Sequence, residues 1–531
     1  VLSALLSAAI VLVDRSAEAG IHFVNVFGGA EKRLIYETLG SGAAFVDYDG
    51  DGFLDIYFVN GAPDLASSGP GSRLYRNQGG GHFIDVTESS GAGDDAYGVA
   101  IAAADLDADG DADLFLAANG SDVLLRNQGD GTFRKERLGD DGMAGGAAFG
   151  DYDEDGLPDL YVSNYVERAA FEEGGKGLEL CNWKGLRVGC GPAGLPASPD
   201  VLYHNEAGRL RDASVETGIA AVEPSYGLGI VFSDLDGDGL VDIYVANDSR
   251  PHYLFRNEGD GTFSEEGLMR GASYSGDGRE QAGMGVDSGD IDSDSDSDLV
   301  VTTFSHDHKT LFENLGGGFF TDASYKRGIG KETYFPLSWG VRFADLDADS
   351  DLDLYIAHGH IYPDVDRVAP ETSYAEPDQV FQNDGRGYFA LEPFPSSKLS
   401  SRGLAAGDYD NDGRIDLLVT TIDGPPELLH NETEPSGTGL LIVLAGAKST
   451  REGLGATVTV ETSSGRQRRE ARTSGSHASA QDPRLHFGLG SASARAVEIE
   501  WPSGTKDRVE VPEGATLVVI KEGVGLLASG R

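Results

Sequence analysis

Seven stretches of the chain set aspartate at alternate positions, a spacing that brings carboxylates to a common point when the backbone turns tightly. The first reads DYDGDGFLD and offers Asp47, Asp49, Asp51 and Asp55. The second offers Asp105, Asp107, Asp109 and Asp113, the third Asp151, Asp153, Asp155 and Asp159, and the fourth Asp234, Asp236, Asp238 and Asp242. The last three offer Asp290, Asp292, Asp294 and Asp298; Asp345, Asp347, Asp349 and Asp353; and Asp408, Asp410, Asp412 and Asp416. Clustered carboxylates repel one another, and a multivalent cation among them reverses the sign of that energy. A donor set of oxygens alone selects a hard ion, and a flexible loop suits Ca²⁺ better than Mg²⁺. Positions 1, 3, 5 and 9 supply side chains, and a backbone carbonyl is expected at position 7. Glycine at position 6 permits the tight turn in five copies; Ser295 and Ser350 replace it in the other two. The expected cofactor is therefore about seven Ca²⁺, acting as structural clips whose binding free energy adds to that of folding. An EF-hand is excluded, because position 12 is Phe58, Leu116, Val162 and Val245 in the first four copies rather than glutamate.

The elements that position these loops repeat with them. Small residues precede each loop (GAAFV, VAIAAA, GGAAFG, LGIVFS), and β-formers follow it (IYFVN, LFLAAN, LYVSN, IYVAN). A third run ends in asparagine, as in LYRNQG, LLRNQG and LFRNEG, and a glycine-rich turn leads to a fourth, such as GHFIDVT. Four antiparallel strands repeated seven times predict an all-β, seven-bladed β-propeller with an acidic loop in each blade. The Gly/Ala bias of the first strand places it innermost, where bulky side chains crowd. The last repeat stops after ELLHN (427–431), and LVDRSAEAGI (12–21) matches LRDASVETGI (210–219). Residues 12–16 are thus expected to supply the missing fourth strand and close the ring, which removes free sheet edges.

The chain has 531 residues, 88 acidic against 41 basic, and a net charge of −47. That balance argues against nucleic-acid or anionic-membrane partners, which need a cationic face. Residues 1–11 (VLSALLSAAIV) are too few to span a bilayer and are expected to be the remnant of a secretory signal. Cys181 and Cys190, the two cysteines, are expected to form a disulfide, consistent with an oxidising compartment. The expected location is secreted, periplasmic or on the cell surface. No G-x-S-x-G, H-E-x-x-H, P-loop or Rossmann signature is present.

These repeats resemble the FG-GAP/VCBS type that builds the propeller of integrin α-subunits, over residues 12–435. The tail adds LLIVLAG, GLGATVTV, TSGSHASAQ, LHFGLG and VEIEWPSG. It looks like the ASPIC/UnbV domain, which accompanies such repeats in the cartilage acidic protein family and its bacterial relatives. CNWKGLRVGCGPAGLP (181–196), ANDSRPHYLFRN (246–257) and GHIYPDVD (359–366) are similar to that family as well. The resemblance implies a secreted Ca²⁺-binding propeller. Some relatives accompany natural-product gene clusters, which keeps an enzyme among the alternatives. Residues 438–531 read as a separate small β-domain after the linker ETEPSGTG (432–439). Its arginines Arg466, Arg468, Arg469 and Arg472 are expected on a solvated strand face, the alternative being that they meet the acidic propeller.

The second strand of each repeat runs away from its acidic loop and ends on the opposite face. Those ends carry Asn60, Asn119, Asn164, Asn247, Asp248, Ser305, His306, His358, His360 and Asp423. Converging around the axis, they would form a funnel, although Asn and Asp also cap turns. The candidate catalytic or ligand-binding cluster is Asn247, Asp248, His306, His358 and His360, with Tyr362 nearby in sequence. Paired histidines beside carboxylates suit acid–base work or a transition metal. The leading expectation is an exported calcium-binding propeller that binds a protein or glycan through the face opposite the loops. The alternatives are a natural-product cyclase or isomerase using this cluster, and a purely structural adhesin.

Overall fold

The computed structural model describes residues 9–139, 142–172 and 174–530. Within residues 12–431 lie seven four-stranded antiparallel sheets. Their first strands are Ala43–Val46, Gly98–Ala104, Ala144–Gly150, Gly227–Ser233, Val286–Gly289, Ser338–Ala344 and Ser401–Gly407. Each first strand contacts that of the next sheet, and the seventh contacts the first, so the order is cyclic. Leu12–Asp14 forms the fourth strand of the seventh sheet, with Leu12 opposite Asn431. The N-terminal segment thus closes the ring as its sequence predicts. Residues 1–8 of the expected signal remnant lie outside the described residues. Ile10 is buried with Leu12, Leu346 and Leu429, so packing begins before the expected boundary at residue 12.

Sequence also explains why the sheets stay together. The asparagine that ends each third strand is buried and has a fixed set of partners. Asn127 donates one amide hydrogen to Ala112 O in its own sheet and the other to Tyr48 O in the preceding one. The same inter-sheet bond runs from Asn205 to Leu106, Asn257 to Tyr152, Asn314 to Leu235, Asn383 to Ile291 and Asn431 to Leu346. Asn77 completes the circle by donating to Tyr409 of the seventh sheet at 2.8 Å. Hydrophobic clusters such as Ala44, Tyr57, Ile101 and Leu116 fill the spaces between neighbouring sheets.

The C-terminal part pairs two further four-stranded sheets around their own core, which includes Ile442, Val458, Phe487, Val497 and Trp501. One of them carries a parallel pair, Gly439–Ala445 beside Leu517–Lys521. This unit has its own core but does not stand apart from the ring. It covers the acidic-loop face and sends residues 473–482 into the axis.

Acidic loops, an occupied axis and the opposite face

In each loop the position-9 aspartate organises the turn. Asp55 accepts from the N–H of Tyr48 and of Asn77, and Asp159, Asp242, Asp298, Asp353 and Asp416 repeat the pattern. Position 1 accepts from the N–H of position 6, as Asp47 does from Gly52 at 2.9 Å. One carboxylate oxygen from each of Asp47, Asp49 and Asp55 lies within 4.8 Å of the others, and Asp105, Asp107 and Asp109 do the same. Asp49 Oδ1, Asp113 Oδ2, Asp151 Oδ1, Asp292 Oδ1 and Asp351 Oδ1 are enclosed and have no hydrogen-bond partner. Burial raises the Asp55 and Asp298 carboxyls to about 8, and that of Asp113 to about 7. Unpartnered oxygens beside carboxyls that resist ionisation are what a divalent cation would resolve, so the donor set fits Ca²⁺.

Neighbouring protein groups supply part of the counter-charge that the sequence pattern assigns to an ion. In six of the seven sheets the residue preceding the third-strand asparagine reaches back into its own loop. Arg76 lies 2.6 Å from Asp49, Arg256 lies 2.8 Å from Asp236, and Gln382 donates to Asp347. In the fifth sheet that residue is Glu313, which holds Arg327 against Asp292.

The tail arginines divide between the two expectations: Arg466 stays exposed beside Glu498, whereas Arg468, Arg469 and Arg472 meet the ring. Arg468 lies 3.5 Å from Asp234 and donates to Ser295 O, and Arg472 is 2.8 Å from the fully buried Asp287. They are drawn onto the ring by its carboxylates and carbonyls, and at Asp287 the tail guanidinium joins Arg342 of the ring. Glu470 accepts from Ser233 Oγ and the Asp234 N–H, and Glu452 accepts from the Asp105 N–H. Arg484 donates to Asp408 O, and His486 donates to Gly413 O. Arg469 faces Asp290 and Asp345 across a cavity of about 100 Å³, with Nε and Nη2 unpartnered.

Residues 473–482 form a finger that bonds to the first strands of six sheets. Phe232 N donates to Ser474 Oγ, Val341 N to Ser476 Oγ, Ile101 N to Ala478 O, and Ala43 N to Ser479 Oγ. Ser476 N donates to Val286 O, and Gln481 bonds both Ala406 N and Leu404 O. His477 donates to Leu39 O, and its ring centroid lies 4.9 Å from that of Trp339. The insertion accounts for Gly42, just before the first strand, and for Gly403, where an added Cβ would sit 1.8 Å from Ala478 O and 2.5 Å from Ser479 Oγ, respectively; Gly145 and Gly340 are small because the first strands of neighbouring sheets press on them.

The far end of the axis is filled as well. Phe27, Tyr36, Tyr97, Tyr165, Tyr226 and Trp339, with neighbouring aliphatic residues, form one buried cluster there. Most strand-two ends are spent on turns. Asn60 Oδ1 accepts from Val26 N, Asn164 donates to Pro199 O, Asn247 donates to Pro251 O, and Asp423 accepts from Phe27 N and pairs with Lys32. Asn119 is buried with its amide atoms unpartnered. Asp248 accepts from the Tyr165 hydroxyl at 2.5 Å and from Ser249.

Of the candidate histidines, only two are brought together. His360 Nε2 lies 3.0 Å from Ser305 Oγ, which is 3.4 Å from His306 Nδ1. Trp183 packs against His306, His360 and Tyr362, with centroids 5.5 to 6.2 Å apart. His358 belongs elsewhere, between Ser338 Oγ at 2.8 Å and Gln379 Oε1 at 3.0 Å. Its strand ends at that residue, so alternation does not carry to His360. Burial holds both imidazoles down to about 3, hence neutral. His306 instead reaches the surface, bonding Glu371, with Lys184 2.9 Å from its Nε2. Phe335 and Tyr334, 46% and 36% exposed, stand edge-on to the same ring. The Trp183 hairpin is tied by the Cys181–Cys190 disulfide. Sequence reasoning missed Trp183, Lys184 and Glu371, which no repeat marks. It noted the third-strand asparagines without reading their role.

Comparison with known proteins agrees with the repeat pattern. The FG-GAP-like repeat model matches residues 59–116, 105–162, 234–301 and 290–356, and the ASPIC and UnbV model matches 446–526. Cartilage acidic protein 1 of Xenopus tropicalis is 25% identical over 504 residues, covering 90% of this chain and 72% of that protein. The Homo sapiens protein of that name is 25% identical over 306 residues, covering 56% and 43%. Among solved structures, an Agrocybe aegerita lectin that recognises non-reducing terminal N-acetylglucosamine aligns with TM-score 0.40 and 16% identity, covering 73% of this chain and 87% of the lectin. YCF48 bound to D1 peptide aligns with TM-score 0.40 and 8% identity, covering 81% and 99%.

Proposed function

We propose that this chain, with its FG-GAP-like repeats, C-terminal ASPIC/UnbV domain and all-β ring, folds its seven sheets as the blades of one β-propeller, holds structural Ca²⁺ in their loops, and serves as an exported binding module. It takes a protein or glycan partner through the face opposite the loops. One observation carries this reading: the tail occupies the loop face and the axis, while the opposite face presents half-exposed aromatic rings beside Lys184 and Glu371. Aromatic faces flanked by charge suit stacking against sugar rings or protein side chains. The disulfide hairpin fits an oxidising compartment, and no described helix is long and apolar enough to cross a membrane. The enzyme reading loses support because His358, His360 and Asp248 are buried and engaged in fixed bonds.

The test uses the full chain, immobilised and probed with a glycan array and with matrix-protein extracts. Trp183→Ala and Phe335→Ala should each weaken capture at least about tenfold without lowering the melting temperature of the ring. Capture that survives both changes, and is lost instead on substitution at the loop face, contradicts the reading.

A further inference from the structure

The third acidic loop differs from the others in what its own third strand brings to it. At the residue before the ring-closing asparagine, sheets one, two and four carry Arg76, Arg126 and Arg256, and sheet six carries Gln382. Sheets three and seven carry His204 and His430. A guanidinium neutralises carboxylates but does not ligate a metal, whereas a neutral imidazole nitrogen does. His430 is already engaged: its Nε2 bonds Asp410 at 3.1 Å, and its Nδ1 lies 3.6 Å from Glu432.

His204 approaches its loop through one nitrogen. Its Nδ1 is enclosed and lies 3.2 Å from Asp159 Oδ1 and 3.4 Å from Asp153 Oδ2. Asp151, 2% exposed, has an enclosed Oδ1 with no hydrogen-bond partner. Asp153, Asp159 and His204 each offer a donor atom within 4.8 Å of the others, and Asp151 groups in the same way with Asp153 and Asp155. Donors on a tetrahedral ion with bonds of about 2.0–2.1 Å stand roughly 3.3 Å apart, which is the spacing His204 keeps to its two carboxylates. Asp159 is oriented by the N–H groups of Asn205 and Tyr152, the outer support a metal ligand needs. Calcium prefers oxygen throughout, while an imidazole in the donor set shifts preference to borderline ions.

We propose that loop three is a mixed imidazole–carboxylate site for a divalent transition ion of the Zn²⁺ or Co²⁺ kind, held by His204 with Asp151, Asp153 and Asp159. It rests on reading the loops as cation sites and departs from that reading in ion and donor. The probe is Co²⁺, titrated into the full chain in millimolar Ca²⁺ and followed by visible absorption and a count of bound metal. The wild-type chain should take up one Co²⁺ that Ca²⁺ does not displace. His204→Arg and His204→Gln install side chains that other sheets use at this position. Both should weaken that uptake at least about tenfold at unchanged melting temperature, and His430→Arg should leave it intact. No Co²⁺ uptake by the wild type, uptake unaffected by both His204 variants, displacement by Ca²⁺, or loss with His430→Arg overturns the proposal. A chain that binds no Ca²⁺ but keeps His204-dependent Co²⁺ overturns the calcium reading instead and leaves this site standing.

Discussion

The two faces of the ring are built by opposite means. The loop face is repetitive and charged: seven near-identical acidic turns, locked by Asp55 and its counterparts and roofed by Arg468, Arg472 and Arg484. The opposite face is irregular and apolar, made of connections of unequal length whose rings meet in one buried cluster. Its exposed rim carries groups that no repeat specifies, Lys184, Glu371 and Phe335 among them. Repetition marks what the scaffold needs in every sheet. Departure from repetition marks where this chain has its own business.

If the roof is part of the scaffold, breaking it should cost most. Asp287 is fully buried and serves Arg342, Arg472 and the Phe343 N–H. Asp287→Ala strands two guanidinium groups and should destabilise the chain by about 3–5 kcal/mol in denaturant melts. A loss under 1 kcal/mol would mean the roof is only resting on the ring. The asparagine circle comes next: Asn314→Ala leaves two carbonyls unpaired and should cost about 1–3 kcal/mol, measured the same way. An equal cost at several of the seven positions would support a uniform scaffold.

The opposite face has a titration signature. His358 has a native pKa of about 3, below its unfolded value of about 6.5. Its contribution to stability is therefore full above pH 6.5 and is lost as pH falls toward 3. In calcium-saturated melts, His358→Gln should flatten the decline between pH 6 and pH 4 by about 1.4 kcal/mol per pH unit. An identical slope would place that imidazole in contact with water. The smallest effect concerns the Trp183 hairpin. Reducing Cys181–Cys190 should redshift tryptophan emission while leaving the main melt within a few degrees, because Trp339 and Trp501 stay buried.

Much of the loop face was legible in the sequence, because a period-2 run of aspartates and a small-residue strand recur with fixed neighbours. Closure by residues 12–16, of which 12–14 form the strand, was legible for the same reason: it completes a repeat. The roof was legible only as the less favoured of two readings of the tail arginines, since nothing local says that Asp234 and Asp287 lie opposite Arg468 and Arg472. Long-range docking of this kind leaves no periodic trace. The histidine cluster was half legible, since His306 and His360 do meet. His358 failed because strand alternation stops at the strand end, and Trp183 enters from an insertion more than a hundred residues away in sequence from either.

The central claim is that divalent ions among the loop aspartates stabilise the ring. Calorimetric melting of the full chain, first freed of metal by chelation and then titrated with Ca²⁺ or Mg²⁺, tests it directly. The account predicts a melting temperature that falls sharply on chelation and recovers with Ca²⁺ far better than with Mg²⁺, at about seven divalent ions bound per chain including loop three. A melt that ignores chelator and calcium alike, with no ion retained after dialysis, would contradict it.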